Sequence, residues 1–183
     1  MVGGPGGRRG VGPGIGPGVD PGVDPVSPAA DVPLLEASVE VDTPPARVWE
    51  LVSDLPRMAS WSPMVVRTVV LGGQVRLGTH AVNLNRRGLM VWPTRSTVVR
   101  FEPERELAFR VAENHMVWSF SLNPLADGTR THVVQRREPG EGITRLSRTF
   151  IGTFLGGQSD FTDDLRAGMR QTLDRLKAEA EAV

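Results

Sequence analysis

The sequence predicts an α+β domain: one curved antiparallel β-sheet wrapped around a long C-terminal helix, in the order β-α-α-β6-α. Three observations predict it. Residues 64–138 fall into strand-like runs divided by turn residues, with no helical period between them. A strand and a helical segment precede these runs. A long stretch with apolar residues at 3–4 spacing follows them.

The first strand is LLEASVEV. Leu35, Ala37, Val39 and Val41 alternate with Glu36, Ser38, Glu40 and Asp42, the pattern of a half-buried strand. Asp42 or Thr43 is placed to cap a helix, and Pro44 suits its first turn, where the missing N–H is not needed. That helix is ARVWELVSDL, with Val48, Leu51, Val52 and Leu55 on one face, and Pro56 stops it. Asp54 closes this helix or caps the short turn from Arg57 to Trp61, which Ser62-Pro63 ends.

Six strands come next. MVVRTVVL (64–71) runs to Gly72-Gly73, and THAVNLN (79–85) runs to the Arg86-Arg87-Gly88 turn. LMVWPTRSTVVRF (89–101) contains Pro93, which implies a bulge or an edge position because proline cannot donate to the ladder. ELAFRV (106–111), HMVWSFSL (115–122) and TRTHVVQRRE (129–138) complete an antiparallel meander. At the C-terminal end, Leu146, Phe150 and Phe154 share a helical face until Gly156-Gly157 breaks it. A longer helix starts near Ser159 or Asp160. Its stripe is Phe161, Leu165, Gly168, Met169, Thr172, Leu173, Leu176 and Ala180. Asp160, Asp163 and Asp164 near its start, with Arg175 and Lys177 near its end, complement the helix dipole.

Residues 1–33 differ from the rest. They hold 10 of the 21 glycines and 7 of the 15 prolines and lack Leu, Phe and Trp. Such a segment buries too little apolar surface to offset the entropy of ordering, so a disordered Gly/Pro-rich tail is expected, with the domain at 34–183. Arg8 and Arg9 are followed by Gly and Pro, not by the apolar run of a secretory leader.

Composition narrows the chemistry. The 183 residues carry 21 basic and 21 acidic side chains, which argues against a nucleic-acid partner held by bulk charge. There is no cysteine for a thiolate site, and no tyrosine to act as an acid or base. The three histidines are scattered, so neither a metal nor a cofactor is expected. No run of about 18 apolar residues exists to span a membrane. Phosphate-cradling and nucleophile-elbow motifs are missing as well.

Several motifs in this order resemble one known superfamily. At the front are Pro44-Pro45-x-x-Val48-Trp49, Ser53-Asp54 and Trp61-Ser62-Pro63. In the middle are Val98-Val99-x-Phe101-x-Pro103, Leu107-Ala108-Phe109, Trp118-x-Phe120-x-Leu122-x-Pro124 and Asp127-Gly128-Thr129. At the end is Gly168-Met169-x-x-x-Leu173-x-x-Leu176-Lys177. Together they resemble the START-like, SRPBCC superfamily, in its polyketide cyclase/dehydrase and lipid transport branch, across residues 34–182. The resemblance implies the helix-grip fold. It also implies a cytoplasmic protein that works as a carrier or receptor of a hydrophobic molecule, as a cyclase, or as a chaperone activator.

A curved sheet gripping a straight helix leaves a cavity, because the helix cannot touch the whole sheet. Such a cavity suits a small hydrophobic or aromatic ligand fixed by a few polar groups. Candidate walls on the sheet are Met90, Trp92, Trp118 and Phe120, with His115 at a cavity end. Candidates on the helical side are Phe150, Phe154, Phe161, Leu165, Gly168 and Met169. Gly168 leaves room for a ligand or allows close contact with the sheet. The same residues also suit a filled core. The face of His132 depends on strand register, while His80 is expected to be exposed, Glu138 to form a solvated ion pair near Arg136 and Arg137, and the Arg86-Arg87 turn to be solvated or to meet a ligand carboxylate or phosphate. Two functions stand side by side: binding of a lipid- or polyketide-like ligand, and cyclase/dehydratase catalysis on a polyketide-like substrate. A wholly apolar lining favours the first, and an inward ionisable group keeps the second open. A protein-interaction role is a weaker third.

Overall fold

The computed structural model describes residues 1, 3–4, 34–139 and 158–182, with the side chains of the last stretch from Thr162 onward. The chain divides into two units, residues 1–31 and 32–183. The second contains β1 (Leu35–Val41), α1 (Pro45–Val52), a 3-10 turn (Leu55–Arg57), α2 (Met58–Trp61) and β2 (Val65–Leu71). Then come β3 (His80–Arg87), β4 (Met90–Glu102), β5 (Glu106–Val111), β6 (Val117–Leu125), β7 (Arg130–Glu138) and α3 (Gln158–Glu181).

All seven strands form one antiparallel sheet in the order β1-β7-β6-β5-β4-β3-β2. Strands β2 to β7 are a meander, and β1 closes beside β7 with Val39 opposite Val133. The sheet curves around α3, which is the helix-grip architecture. The expected helix 146–154 lies outside the described residues, as does nearly all of the Gly/Pro-rich segment.

Helix α3 packs two different halves onto the sheet. Leu173, Leu176 and Ala180 join Val41, Val48, Leu51, Phe120, Leu122 and Val133 in the largest apolar cluster. The side chain of Trp61 is buried in the same cluster, and its indole N–H donates to the Glu179 carboxylate at 2.5 Å. Nearer its start, α3 places Leu165 and Met169 with Leu35, beside Met64 and Trp118. A third cluster, Leu55, Ala81, Val98 and Leu107, lies under Trp49 and Phe101, whose rings meet edge to face at 5.1 Å.

Local details depart from the expectations. Neither Asp42 nor Thr43 caps α1: Pro44 takes the cap position with no side-chain bond. The Asp42 carboxylate accepts a hydrogen bond from Arg130 at 2.6 Å instead. The bulge in β4 falls between Val98 and Arg100, not at Pro93. Pro93 pairs with Leu84 of β3, while the pairing of β4 with β5 reaches only as far as Ser96, opposite Val111. The missing N–H of Pro93 therefore faces the side where no strand follows, since Arg95 directs its own N–H there, to the Glu113 carboxylate at 2.9 Å.

Strand β3 inverts the usual amphipathic rule. Asn83 and Asn85 face inward, while Val82 and Leu84 face outward, each 38% exposed. Outward Val69 and Leu71 of β2 extend this apolar outer surface. The inner face of this end of the sheet borders a cavity, and its polar side chains can pair there with one another.

Candidate functional site

The cavity lies between the first half of α3, the Ser62–Val65 segment and the inner faces of β2 to β7. Its volume is about 180 Å³. A dry cavity of about 150 Å³ is enough to hold a benzene ring, so the space suits a compact ring system or a short chain. Its apolar walls include Trp92, Phe109, Trp118, Leu165 and Met169.

One wall is polar and closed on itself. Thr68 Oγ1 donates to Asn83 Oδ1 at 2.9 Å, and Asn83 Nδ2 donates to Ser96 Oγ at 3.1 Å. Asn85 Nδ2 donates to Thr94 Oγ1 at 3.0 Å. These bonds cross three strands, because residues of like parity on β2, β3 and β4 stand side by side.

The opposite wall, on β7, is polar and open. Gln135 and Arg137 follow Val133 on the inner face, two residues apart, and both line the cavity. Arg137 is only 7% exposed and stands between Leu35 of β1 and Trp118 of β6. Among the described residues it has no hydrogen-bond or ion-pair partner. Burial alone pulls its guanidinium below the ordinary arginine value. Gln135 is 5% exposed, and its Oε1 is buried without a donor.

The neighbouring ionisable groups point elsewhere. Arg136 turns outward to Glu36 at 2.6 Å. Glu138 also lies on the outer face, where it accepts from Arg100 at 2.8 Å and Ser119 at 3.1 Å. His132 takes the outer parity, while the inward Thr131 donates to the Thr43 carbonyl at 2.7 Å. His80 lies on the outer face of β3, with Nδ1 3.0 Å from Thr97 Oγ1. Arg137 is thus the one ionisable residue among the described wall residues.

Of the expected wall residues, Trp92, Trp118, Leu165, Gly168 and Met169 line the cavity. Three do not. Phe120 is fully buried in the main cluster, because the second half of α3 and α1 press onto that stretch of β6. Met90 is 38% exposed at the β3–β4 hairpin, opposite Arg87 and two register positions beyond Trp92. His115 has φ of 57°, a left-handed position in the β5–β6 connection, and its neighbour Asn114 takes the place on the wall. Phe150 and Phe154 lie outside the described residues, as does the side chain of Phe161. Gly168 meets the Ser62–Met64 segment, not the sheet: a methyl group there would stand 3.4 Å from Pro63 Cγ.

A shallower depression shares Pro63, Met64 and Gly168 with the cavity and continues to Arg86, Arg87 and Asp164. The Arg87 guanidinium bridges it to the Asp164 carboxylate at 2.5 Å. No helix among the described residues is long and apolar enough to cross a membrane.

Sequence reasoning missed Gln135, Arg137 and the Asn83–Asn85 wall. A signal for the first pair existed: if Val133 is inward, residues 135 and 137 must share its face.

Comparison with known proteins agrees with this architecture. Among curated proteins, a sequence search finds no match. The aromatase/cyclase Zhui from Streptomyces sp. R1128 superposes with a TM-score of 0.57 at 20% identity, over 81% of this chain and 93% of that one. The di-domain aromatase/cyclase BexL of the BE-7585A biosynthetic pathway gives 0.59 at 17% identity, over 82% of this chain and 50% of its own. A polyketide-cyclase-like protein from Corynebacterium glutamicum gives 0.50 at 25% identity, over 79% and 88%. The family model described as polyketide cyclase / dehydrase and lipid transport matches residues 33–181. With the fold, the cavity and that match in agreement, the chain belongs to the polyketide cyclase / dehydrase and lipid transport family.

Proposed function

We propose that this protein binds a small hydrophobic or aromatic molecule, lipid-like or polyketide-like, in the cavity between α3 and the sheet. The observation that carries the reading is the cavity itself. Leu165 and Met169 continue the apolar stripe of α3, yet about 180 Å³ beside them is left unfilled, with Trp92, Phe109 and Trp118 on the far side. Closed interiors normally leave few voids larger than a water molecule. Apolar walls with a few oriented polar groups are the usual make-up of a small-molecule site. Native mass spectrometry of the purified protein tests it, combined with titration of a naphthalene sulfonate dye. A co-purified ligand, or dye binding that Gly168→Leu removes, supports the reading. A bare chain mass together with dye binding that Gly168→Leu leaves untouched defeats it.

One observation favours a second reading, a cyclase/dehydratase-type enzyme. Arg137 places a cation in the wall, where it can polarise a carbonyl oxygen and stabilise the charge that develops on enolisation. Incubation with a reactive poly-ketone tests it: a product set that differs from the uncatalysed one, and that reverts with Arg137→Met, separates catalysis from carriage. A role like that of chaperone activators calls for an exposed apolar patch over a filled interior, and the unfilled space beside Leu165 and Met169 supports the ligand reading instead.

A further inference from the structure

We propose that the ligand carries a delocalised oxyanion, a carboxylate or the enolate of a β-dicarbonyl, which pairs with Arg137, beside a hydroxyl or N–H that donates to Gln135 Oε1. This rests on the reading of the cavity as a ligand site and specifies what it selects.

Two observations carry it. The first is the contrast between the two polar walls. On β2 to β4, Thr68, Asn83, Ser96, Asn85 and Thr94 hydrogen-bond among themselves, so the amide N–H groups of that wall are already engaged. On β7, Gln135 and Arg137 are more than nine-tenths buried, and among the described residues Gln135 Oε1 has no donor and the Arg137 guanidinium has no anion. Buried polar groups normally have partners, and a buried charge is costly unless paired. The unmatched pair is therefore complementary to an anion with a neighbouring donor.

The second is the geometry. Side chains two residues apart on a strand stand about 7 Å apart along it. A planar guanidinium offers paired N–H groups that match the two oxygens of a carboxylate or an enolised dicarbonyl. Arg137 and Trp118 are cross-strand neighbours, so a ring bearing the anion would lie along the indole and reach toward Leu165 and Met169. Arginine stays protonated in this setting even with its affinity for the proton lowered, so the anion site does not switch off at neutral pH.

The test uses the full chain and three probes, with binding read by calorimetry. Naphthoate presents a carboxylate, naphthoylacetone presents an enolisable dicarbonyl, and methyl naphthoate is the neutral control. Wild type is expected to bind at least one of the first two ten-fold or more tightly than the ester. The arm that binds identifies which oxyanion is preferred, and a shift of naphthoylacetone absorption to the enolate band marks the second. Arg137→Met is expected to remove the preference, so that the ester and the anions bind that variant within about two-fold of one another. It is also expected to melt no lower than wild type, because an unpaired buried cation is gone. Equal binding of ester and anions by wild type overturns the proposal and leaves the cavity reading standing, with no variant needed. A preference that survives in Arg137→Met likewise overturns it. If none of the probes binds, the cavity reading falls and the proposal with it.

Discussion

Gly168 of α3 faces Pro63, and a methyl group at position 168 would stand 3.4 Å from Pro63 Cγ, an ordinary contact distance. A small side chain therefore fits. Gly168→Ala is expected to raise stability by about 0.5–1 kcal/mol through helix propensity, measured by urea denaturation. Gly168→Leu projects further toward the cavity. It should melt no lower than wild type and lose dye binding. A leucine variant that loses stability by about 1–3 kcal/mol would show overpacking against Pro63 instead.

The second half of α3 is sealed. Leu173 is 2% exposed in the main cluster, and Arg170 lies on the solvent side. Leu173→Asp should cost several kcal/mol, on the order of 3 or more, or abolish folding, because it buries an unpaired charge. Arg170→Asp should change the melting temperature little. Equal losses at both positions would contradict the observed helical phase.

Glu181 ties the end of α3 to the end of β1. Its carboxylate accepts from the Asp42 backbone N–H and from Lys177 Nζ, each at 2.7 Å. The Asp42 bond, more than the Lys177 pair, holds its proton affinity below the ordinary glutamate value. A depressed carboxylate contributes stability above its unfolded pKa and loses it as pH falls through the folded one. Glu181→Gln should therefore lower the melting temperature modestly near neutral pH, and the gap from wild type should close as the solution is acidified below the glutamate range. A gap that widens in acid would reverse the assigned sign.

Deletion of residues 1–30 should leave the melting temperature of the domain unchanged, since that Gly/Pro-rich segment offers little apolar surface to bury. A drop of several degrees in calorimetry would show that it docks.

The long helix and the meander of strands were legible because their signals are redundant. From Leu165 to Ala180 the stripe of α3 repeats over four turns, and every large apolar residue in it is buried. The two polar walls were not legible, for opposite reasons. In β7 the doublet Val133-Val134 makes both faces look apolar, so parity is undecided until the pairing with Val39 and Leu122 fixes it. In β3 parity is clear but its meaning is reversed. Ala81-Val82-Asn83-Leu84-Asn85 reads as Val82 and Leu84 inward by hydrophobicity, whereas the cavity draws the asparagines in, where Thr68, Ser96 and Thr94 satisfy them. His115 and Asn114 differ by one residue in a turn, below the resolution of any periodic pattern.

The inversion of β3 has a colloidal side. Polar residues turned inward leave Val82 and Leu84 outside, next to Val69 and Leu71 on β2, and β2 is the last strand of the sheet. A terminal strand offers unpaired backbone groups to any other chain, and VVRTVVL is strongly β-forming. Arg67 is the single charge within it and sits mid-strand as a gatekeeper against edge-to-edge growth. In this domain the chemistry of the interior thus sets the tendency of the exterior to self-associate, and one arginine opposes it.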